Sequence, residues 1–284
     1  MKKIALLFGL FLALFSNAQT EKKSLLWKIS GNGLAKESYL FGTIHIACDA
    51  TLPKKVLDAL DKTNQLCLEL DMDDPNMQTE MMGKMMMKNG VTIESMMSED
   101  DFKLVDDFFK KQSGFSLKMM NSIKPFALSA MLYPKMLDCP IQSFENELMK
   151  VAKEQNEETI GLETIGEQLA IFDAIPYQTQ VNELIKSAKS DLSTDKKELE
   201  ALLELYKSED LEAMLQYSDS SENIMTSEFK EELLNNRNKN WIDRITKIAM
   251  EKPTFFGVGA AHLGGENGVI KLLRKKGYKV IAVY

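Results

Sequence analysis

Residues 254–265 read TFFGVGAAHLGG, and residues 39–47 read YLFGTIHIA. Each runs strand-like apolar residues into the same pattern, Gly-x-x-His, as Gly42-Thr43-Ile44-His45 and Gly259-Ala260-Ala261-His262. The chain of 284 residues contains two histidines, and these are both of them. Two histidines placed at random would rarely fall at the same point of the same local pattern, so they read as a pair.

Upstream of the first motif, SLLWKIS and ESYLFGTIHI flank Gly31-Asn32-Gly33 and predict two strands joined by a turn, the second ending at His45. Residues 53–64, PKKVLDALDKTN, carry apolar positions at helical spacing behind a proline, which predicts a helix. QLCLELDMDD alternates, sending Leu66, Leu68 and Leu70 to one face and Cys67, Glu69 and Asp71 to the other. That is a strand with a carboxylate on the histidine side. ETIGLET predicts a third core strand ending at Glu163. Around the second motif, Pro253 stops a long helix and TFFGVGAAHL reads as a strand delivering His262. GVIKLLRKKG then reads as a helix closed by Gly277, and YKVIAVY as a terminal strand. The strand–helix–strand order predicts an α/β fold with a mostly parallel central sheet and flanking helices. Ligands of such sheets bind beyond the carboxyl ends of the strands, where His45, Glu69 and His262 all fall.

Two helical insertions, about 75–150 and 167–250, are expected to cover those strand ends within a single domain, 19–284. Ser98 followed by Asp101 marks a helix start and Gly114 its stop. Residues 116–137 read as helical with Pro125 punctuating, and 143–156 as amphipathic, with Phe144, Leu148, Val151 and Ala152 on one face. Nine methionines lie between Met72 and Met97. Thioethers favour soft metals such as copper(I), but the spacing is that of an apolar helical face. A mobile helical cover over the site is the expectation there.

MKKIALLFGLFLALFSNAQT has two lysines, a short apolar run and small residues before Gln19, the pattern of a secretory signal peptide, 1–18, cleaved after Ala18. Its apolar run is shorter than a bilayer span, and no later segment is long and apolar enough to be one. An exported, periplasmic or secreted product without an integral membrane segment is expected. With 35 basic and 42 acidic residues the chain is acidic, which argues against nucleic acid as a partner. Cys48, Cys67 and Cys139 permit at most one disulfide, and with no C-x-x-C among them a structural zinc site is disfavoured. Cys67, alternating with leucines, reads as a small buried hydrophobe.

His45, His262 and Glu69 offer two imidazoles and one carboxylate, the ligand set of many catalytic zinc sites and of the iron facial triad. Without a metal, one histidine could act as base on water with the glutamate as orienter. Glu163 reads as a further metal ligand, an acid behind the ligands, or the N-terminal charge of the next helix. The chain has no H-E-x-x-H and no G-x-S-x-G. Gly257-Val258-Gly259 opens like a dinucleotide fingerprint, but His262 stands where its last glycine belongs, which argues against a nicotinamide site.

LLWKISGNGLAKESYLFGTIH, CLELD, ETIGLETIGEQLAIF, NNRNKNW and FFGVGAAHLGGENGVIKLLRKKGYKV together resemble the TraB/GumN family, related to the Tiki proteins and more distantly to the erythromycin-esterase and ChaN-like group. The resemblance covers essentially all of the chain after residue 18. It implies an α/β core with both motifs at one site, His45 and His262 as the motif histidines and Glu69 as the acid after the second strand. The Tiki branch is described as metal-dependent peptidases, so a divalent metal (Mn, Co, Zn or Fe) and a peptide or protein substrate are implied by similarity. Arg237 matches the family's helix-borne arginine, implying a catalytic or substrate-carboxylate role. The ChaN-like side of the resemblance implies an alternative, a non-catalytic protein that holds iron, haem or a peptide.

Overall fold

The computed structural model describes residues 23–284, so the signal peptide expected at 1–18 lies outside the described residues. Strands β1 (Leu26–Ser30) and β2 (Ser38–Thr43) form the expected antiparallel hairpin, with Gly31, Asn32 and Gly33 all at positive φ. Helix α1 (Lys54–Leu60) and strand β3 (Gln65–Leu70) come next. The first insertion holds α2 (Met77–Lys84), α3 (Glu99–Ser113), α4 (Pro125–Ala130) and α5 (Phe144–Glu154). After β4 (Glu158–Glu163), the second holds α6 (Ile165–Ala174), α7 (Tyr177–Ser190), α8 (Ser193–Lys207), α9 (Leu211–Asp219), α10 (Ile224–Glu228) and α11 (Asn236–Glu251). Strand β5 (Phe255–Gly259), α12 (Val269–Lys275) and β6 (Lys279–Ala282) close the chain.

The six strands form one sheet in the order β4-β3-β5-β2-β1-β6. β4, β3, β5 and β2 are parallel, and β1 runs antiparallel to both β2 and β6. The expected α/β fold is therefore present, with a mixed, mostly parallel sheet. Covered on both faces, the inner strands read as near-continuous apolar runs: Leu40, Phe41, Leu66, Cys67, Leu68, Phe255, Phe256 and Val258 are all buried. Each large side chain of this kind contributes about 1.5–3 kcal/mol by leaving water. This order sets the four carboxyl ends side by side, so Glu163, Glu69, the Gly259 turn and the His45 loop arrive in a row.

A second apolar cluster stands apart from the sheet, built from Phe102, Val105 and Phe109 of α3, Leu128 of α4, and Val181 and Leu184 of α7. Helix α3 is capped as its sequence predicts, with the Ser98 side chain accepting from the Asp101 amide and Gly114 left-handed at φ 80°. α5 buries Phe144, Leu148 and Ala152 on the expected face.

Four local expectations are corrected. β2 stops at Thr43 rather than His45, and β5 stops at Gly259, with His262 in a 3₁₀ turn of Ala260–His262. The ladder ends on the Thr43–Gly259 pair, and the apolar pattern ran past it because Ala260 is buried in a turn rather than a strand. Residues 116–137 are not one helix: a 3₁₀ turn, Leu117–Met120, precedes a bridge between Met86 and Ile123, and Pro125 begins α4 instead of interrupting a longer helix. Within the methionine run α-helix forms only in α2, which buries none of its residues; positive φ at Asn89 and Gly90 turns the chain away from any continuation of that helix, and a 3₁₀ turn follows at Glu94–Met96. Cys48 and Cys139 form the one disulfide, and Cys67 is free and buried, as its strand position suggested.

Candidate active site

The two motifs interlock through their glycines. A Cβ on Gly42 would stand 2.9 Å from Leu263 Cδ1 and 3.1 Å from Ala260, so the first motif makes room for the turn that carries the second histidine. A Cβ on Gly259 would lie 3.3 Å from Glu69 Oε1, 3.6 Å from His262 Cδ2 and 3.9 Å from His45 Nε2. The three expected site residues thus surround one methyl-sized space, kept open because residue 259 has no side chain.

His45 leaves the sheet on a loop with its ring 68% exposed. Its Nδ1 lies 2.8 Å from Glu145 Oε1, and that same oxygen accepts from Thr43 Oγ1 at 2.7 Å while Oε2 accepts from Ser143 Oγ at 2.6 Å. An ionised carboxylate only accepts, so Nδ1 carries a proton, and Nε2 lies toward the space at Gly259. The hydrogen bond to Glu145 raises the His45 pKa to about 9, with the negative charges of Glu69 and Glu145 adding to it against partial burial and Arg237. For Glu145, burial alone would raise the pKa; the bond and charge of His45, with Ser143 and Thr43, outweigh it and bring the value to about 2.

His262 is buried. Its Nδ1 is 2.7 Å from Asn238 Oδ1, and Asn238 Nδ2 donates to Asn267 O at 2.9 Å, which fixes the amide with its oxygen toward the ring. His262 therefore also carries its proton on Nδ1 and presents Nε2, which accepts from Arg237 Nη1 at 3.0 Å and stands 3.7 Å from Glu69 Oε1. Trp241 lies against the ring with centroids 4.4 Å apart. Burial pushes the His262 pKa down to about 3, so the ring is neutral at ordinary pH.

Glu69 Oε1 accepts from the Gly259 amide at 2.8 Å; Oε2 accepts from Arg237 Nη2 at 2.6 Å and Gln168 Nε2 at 3.3 Å. Burial would raise its pKa, but His262, Arg237, His45 and the Gly259 amide more than offset that and hold it at about 2. Arg237, entering α11 from a π-helical turn at Glu231–Asn235, ties the cluster together. Its Nε and Nη2 donate to Glu163, its Nη2 also to Glu69, and its Nη1 to Leu233 O and His262. Trp241 packs 4.7 Å beneath the guanidinium and donates its Nε1 to Glu163 Oε2 at 3.1 Å. A guanidinium has five N–H donors in a fixed fork, and every one here has a protein acceptor. Arg237 thus links Glu69, Glu163 and His262 through donors that are all engaged within the chain.

Sequence reasoning missed Glu145, Asn238, Trp241 and Gln168. Trp241 sits four residues after Arg237 and three after Asn238, within the NNRNKNW stretch, and that helical spacing was a usable signal. Glu145 had none, being one acid among 42 at the start of an amphipathic helix.

With this geometry in place, the profile of the TraB/PrgY/gumN family matches residues 25–282. The chain belongs to the TraB/PrgY/gumN family. Among curated relatives, it is 20% identical over 319 residues to Metalloprotease TIKI2 of Danio rerio, covering 93% of this chain and 61% of that protein. It is 23% identical over 326 residues to Metalloprotease TIKI1 of Xenopus tropicalis, covering 93% and 62%. The chain thus spans about three fifths of the length of these relatives. No solved structure matches it. These relatives are named as metalloproteases. Two Nε2 atoms and a carboxylate are suitable ligand types, but no three His, Cys, Asp or Glu groups among the described residues close to metal-holding geometry. Arg237 already donates to His262 Nε2 and Glu69 Oε2, two of the lone pairs an ion would need. As arranged, the cluster does not fit a metal, and the chemistry proposed for it runs through its own side chains.

Proposed function

We propose that this chain is an exported hydrolase of peptide bonds whose chemistry is carried by His45 and Glu69, with His262, Arg237 and Glu163 as the charged frame behind them. The observation that carries this reading is the space at Gly259, where His45 Nε2 and Glu69 Oε1 face a common volume. A water there can give a proton to His45 Nε2 while its second hydrogen bonds Glu69. Glu145 on His45 Nδ1 holds the tautomer and stabilises the imidazolium that forms, as the carboxylate of a hydrolytic triad does for its histidine. The water oxygen adds to the peptide carbonyl carbon as that proton leaves it, and the imidazolium then returns the proton to the leaving amine as the C–N bond breaks. Arg237 helps hold Glu69 ionised and supplies fixed positive charge beside it.

The metalloprotease names of the relatives support peptide as the substrate class. The N-terminal signal pattern and the Cys48–Cys139 disulfide support export, since disulfides persist in oxidising compartments. The test is turnover of a mixed peptide library by the purified chain beginning at Gln19, with His45→Ala as control. Cleavage that the substitution abolishes is expected. Cleavage that persists in His45→Ala, or none by the wild type, overturns the reading.

A further inference from the structure

Residues 44–53, between β2 and α1, contain no helix and no strand beyond a single bridging residue, yet His45 must be held to Glu145 across a sequence gap of 100 residues. Besides the His45–Glu145 bond itself, three contacts do the holding, next to the Ser143 cap that orients Glu145. Ala47 and Gln142 form an isolated antiparallel bridge, Ala47 N donating to Gln142 O at 3.0 Å and Gln142 N to Ala47 O at 2.8 Å. The Ala50 amide donates to Gln142 Oε1 at 3.0 Å. Cys48 is disulfide-bonded to Cys139. Ser143, directly after Gln142, caps α5 and bonds Glu145. The disulfide is the covalent member, three residues beyond His45 and six before Glu145, and Cys48 is exposed to solvent.

We infer that the Cys48–Cys139 disulfide is a redox-controlled positioning device: oxidised, it clamps the His45 loop against the Glu145 segment, and reduced, it releases His45 and disables the site. This inference rests on the peptidase reading. Without the disulfide, the His45–Glu145 bond, one backbone bridge, one side-chain bond and the burial of Ala47, Ala50 and Leu52 remain to order a ten-residue loop, with no covalent tie to the Glu145 segment. Reduction by a small dithiol begins at the accessible Cys48 sulfur, forming a mixed disulfide and expelling Cys139 as thiolate. The second thiol of the reagent then displaces Cys48, so the dithiol leaves as a cyclic disulfide and the protein gains two electrons and two protons as two thiols. The chain would thus stay inactive in a reducing cytoplasm and be switched on by oxidation after export.

The test compares oxidised, dithiol-reduced and reoxidised wild type with Cys48→Ser/Cys139→Ser, reading amide hydrogen exchange together with peptide hydrolysis against pH. In the reduced and serine forms, residues 44–50 and 139–143 should exchange faster while β3 and β5 stay protected. kcat/KM should fall roughly tenfold to a hundredfold, since a small misplacement of a catalytic group costs that much. The rising limb of the pH profile should also move down as Glu145 loses hold of the ring, and reoxidation should restore all three readouts. Unchanged exchange at 44–50, faster exchange spread over the whole chain, or an unmoved pH limb would overturn the proposal. A lack of hydrolysis in every form would defeat the peptidase reading alone, and the exchange data would still decide whether the clamp exists.

Discussion

The two Gly-x-x-His regions share a sequence pattern, adjacent parallel strands and a ring proton held on Nδ1, but their side chains are 68% and 5% exposed. One ring is backed by a carboxylate and the other by a neutral amide. Glu145 makes His45 a stronger base, while burial beside Arg237 leaves His262 uncharged. On the proposed reading, the same four-residue pattern has taken on different work: the first motif handles protons at the solvent edge and the second anchors the charged frame from beneath. Environment, rather than the motif itself, assigns the roles.

Breaking the histidines one at a time separates these roles most strongly. His45→Ala should cut kcat/KM by about a thousandfold, within the range that positioned base catalysis supplies, with a smaller stability loss than His262→Ala, because an exposed ring leaves no cavity while the buried Glu145 loses one of its partners. His262→Ala should cost about 2–3 kcal/mol of stability, because it leaves Asn238 and Arg237 without a buried partner and opens a cavity against Trp241. Steady-state kinetics alongside thermal unfolding of both variants checks this. Equal stability losses, or a larger rate loss in the second variant, would erase the distinction.

The glycines sharpen the same contrast. Gly259→Ala should reduce kcat/KM by roughly tenfold to a hundredfold, since its methyl fills the space between His45, Glu69 and His262. Gly42→Ala should instead cost about 1–3 kcal/mol of stability, because its methyl would press on Ala260 and Leu263. Denaturant unfolding and kinetics of the pair would reveal any exchange of these roles. The smallest effect belongs to Trp241→Phe, which keeps the ring against His262 and loses the Nε1 bond to Glu163. A stability loss of about 1–2 kcal/mol with a rate within a few fold of wild type is expected from calorimetry and kinetics.

The sheet was legible because its evidence is local. Alternation in QLCLEL, the apolar runs into each Gly-x-x-His and the Gly-Asn-Gly turn each specify one element, and the order of elements specifies parallel crossovers. Strand ends were less legible, because a buried 3₁₀ turn and a buried strand present the same apolar residues at Ala260 and Ala261. In the candidate site, His45, Glu69, His262, Glu163 and Arg237 were all nameable from sequence, and the fold brings them together. The saturation of Arg237 and the Glu145 partnership were not nameable. Both depend on where α11 and α5 lie across the strand ends, a property of tertiary packing that no short window of sequence encodes.

The most direct test of the division between the motifs is the pH dependence of peptide hydrolysis by wild type and Glu145→Gln. Because the deprotonated ring is the base and its pKa is raised to about 9, wild-type kcat/KM should climb through neutrality, pass its midpoint near pH 9 and level off only above it. Removing the carboxylate should bring the midpoint down toward the ordinary histidine value of about 6.5, with a lower plateau. A profile that is flat from neutrality to pH 9, or a midpoint that Glu145→Gln leaves in place, would contradict the account.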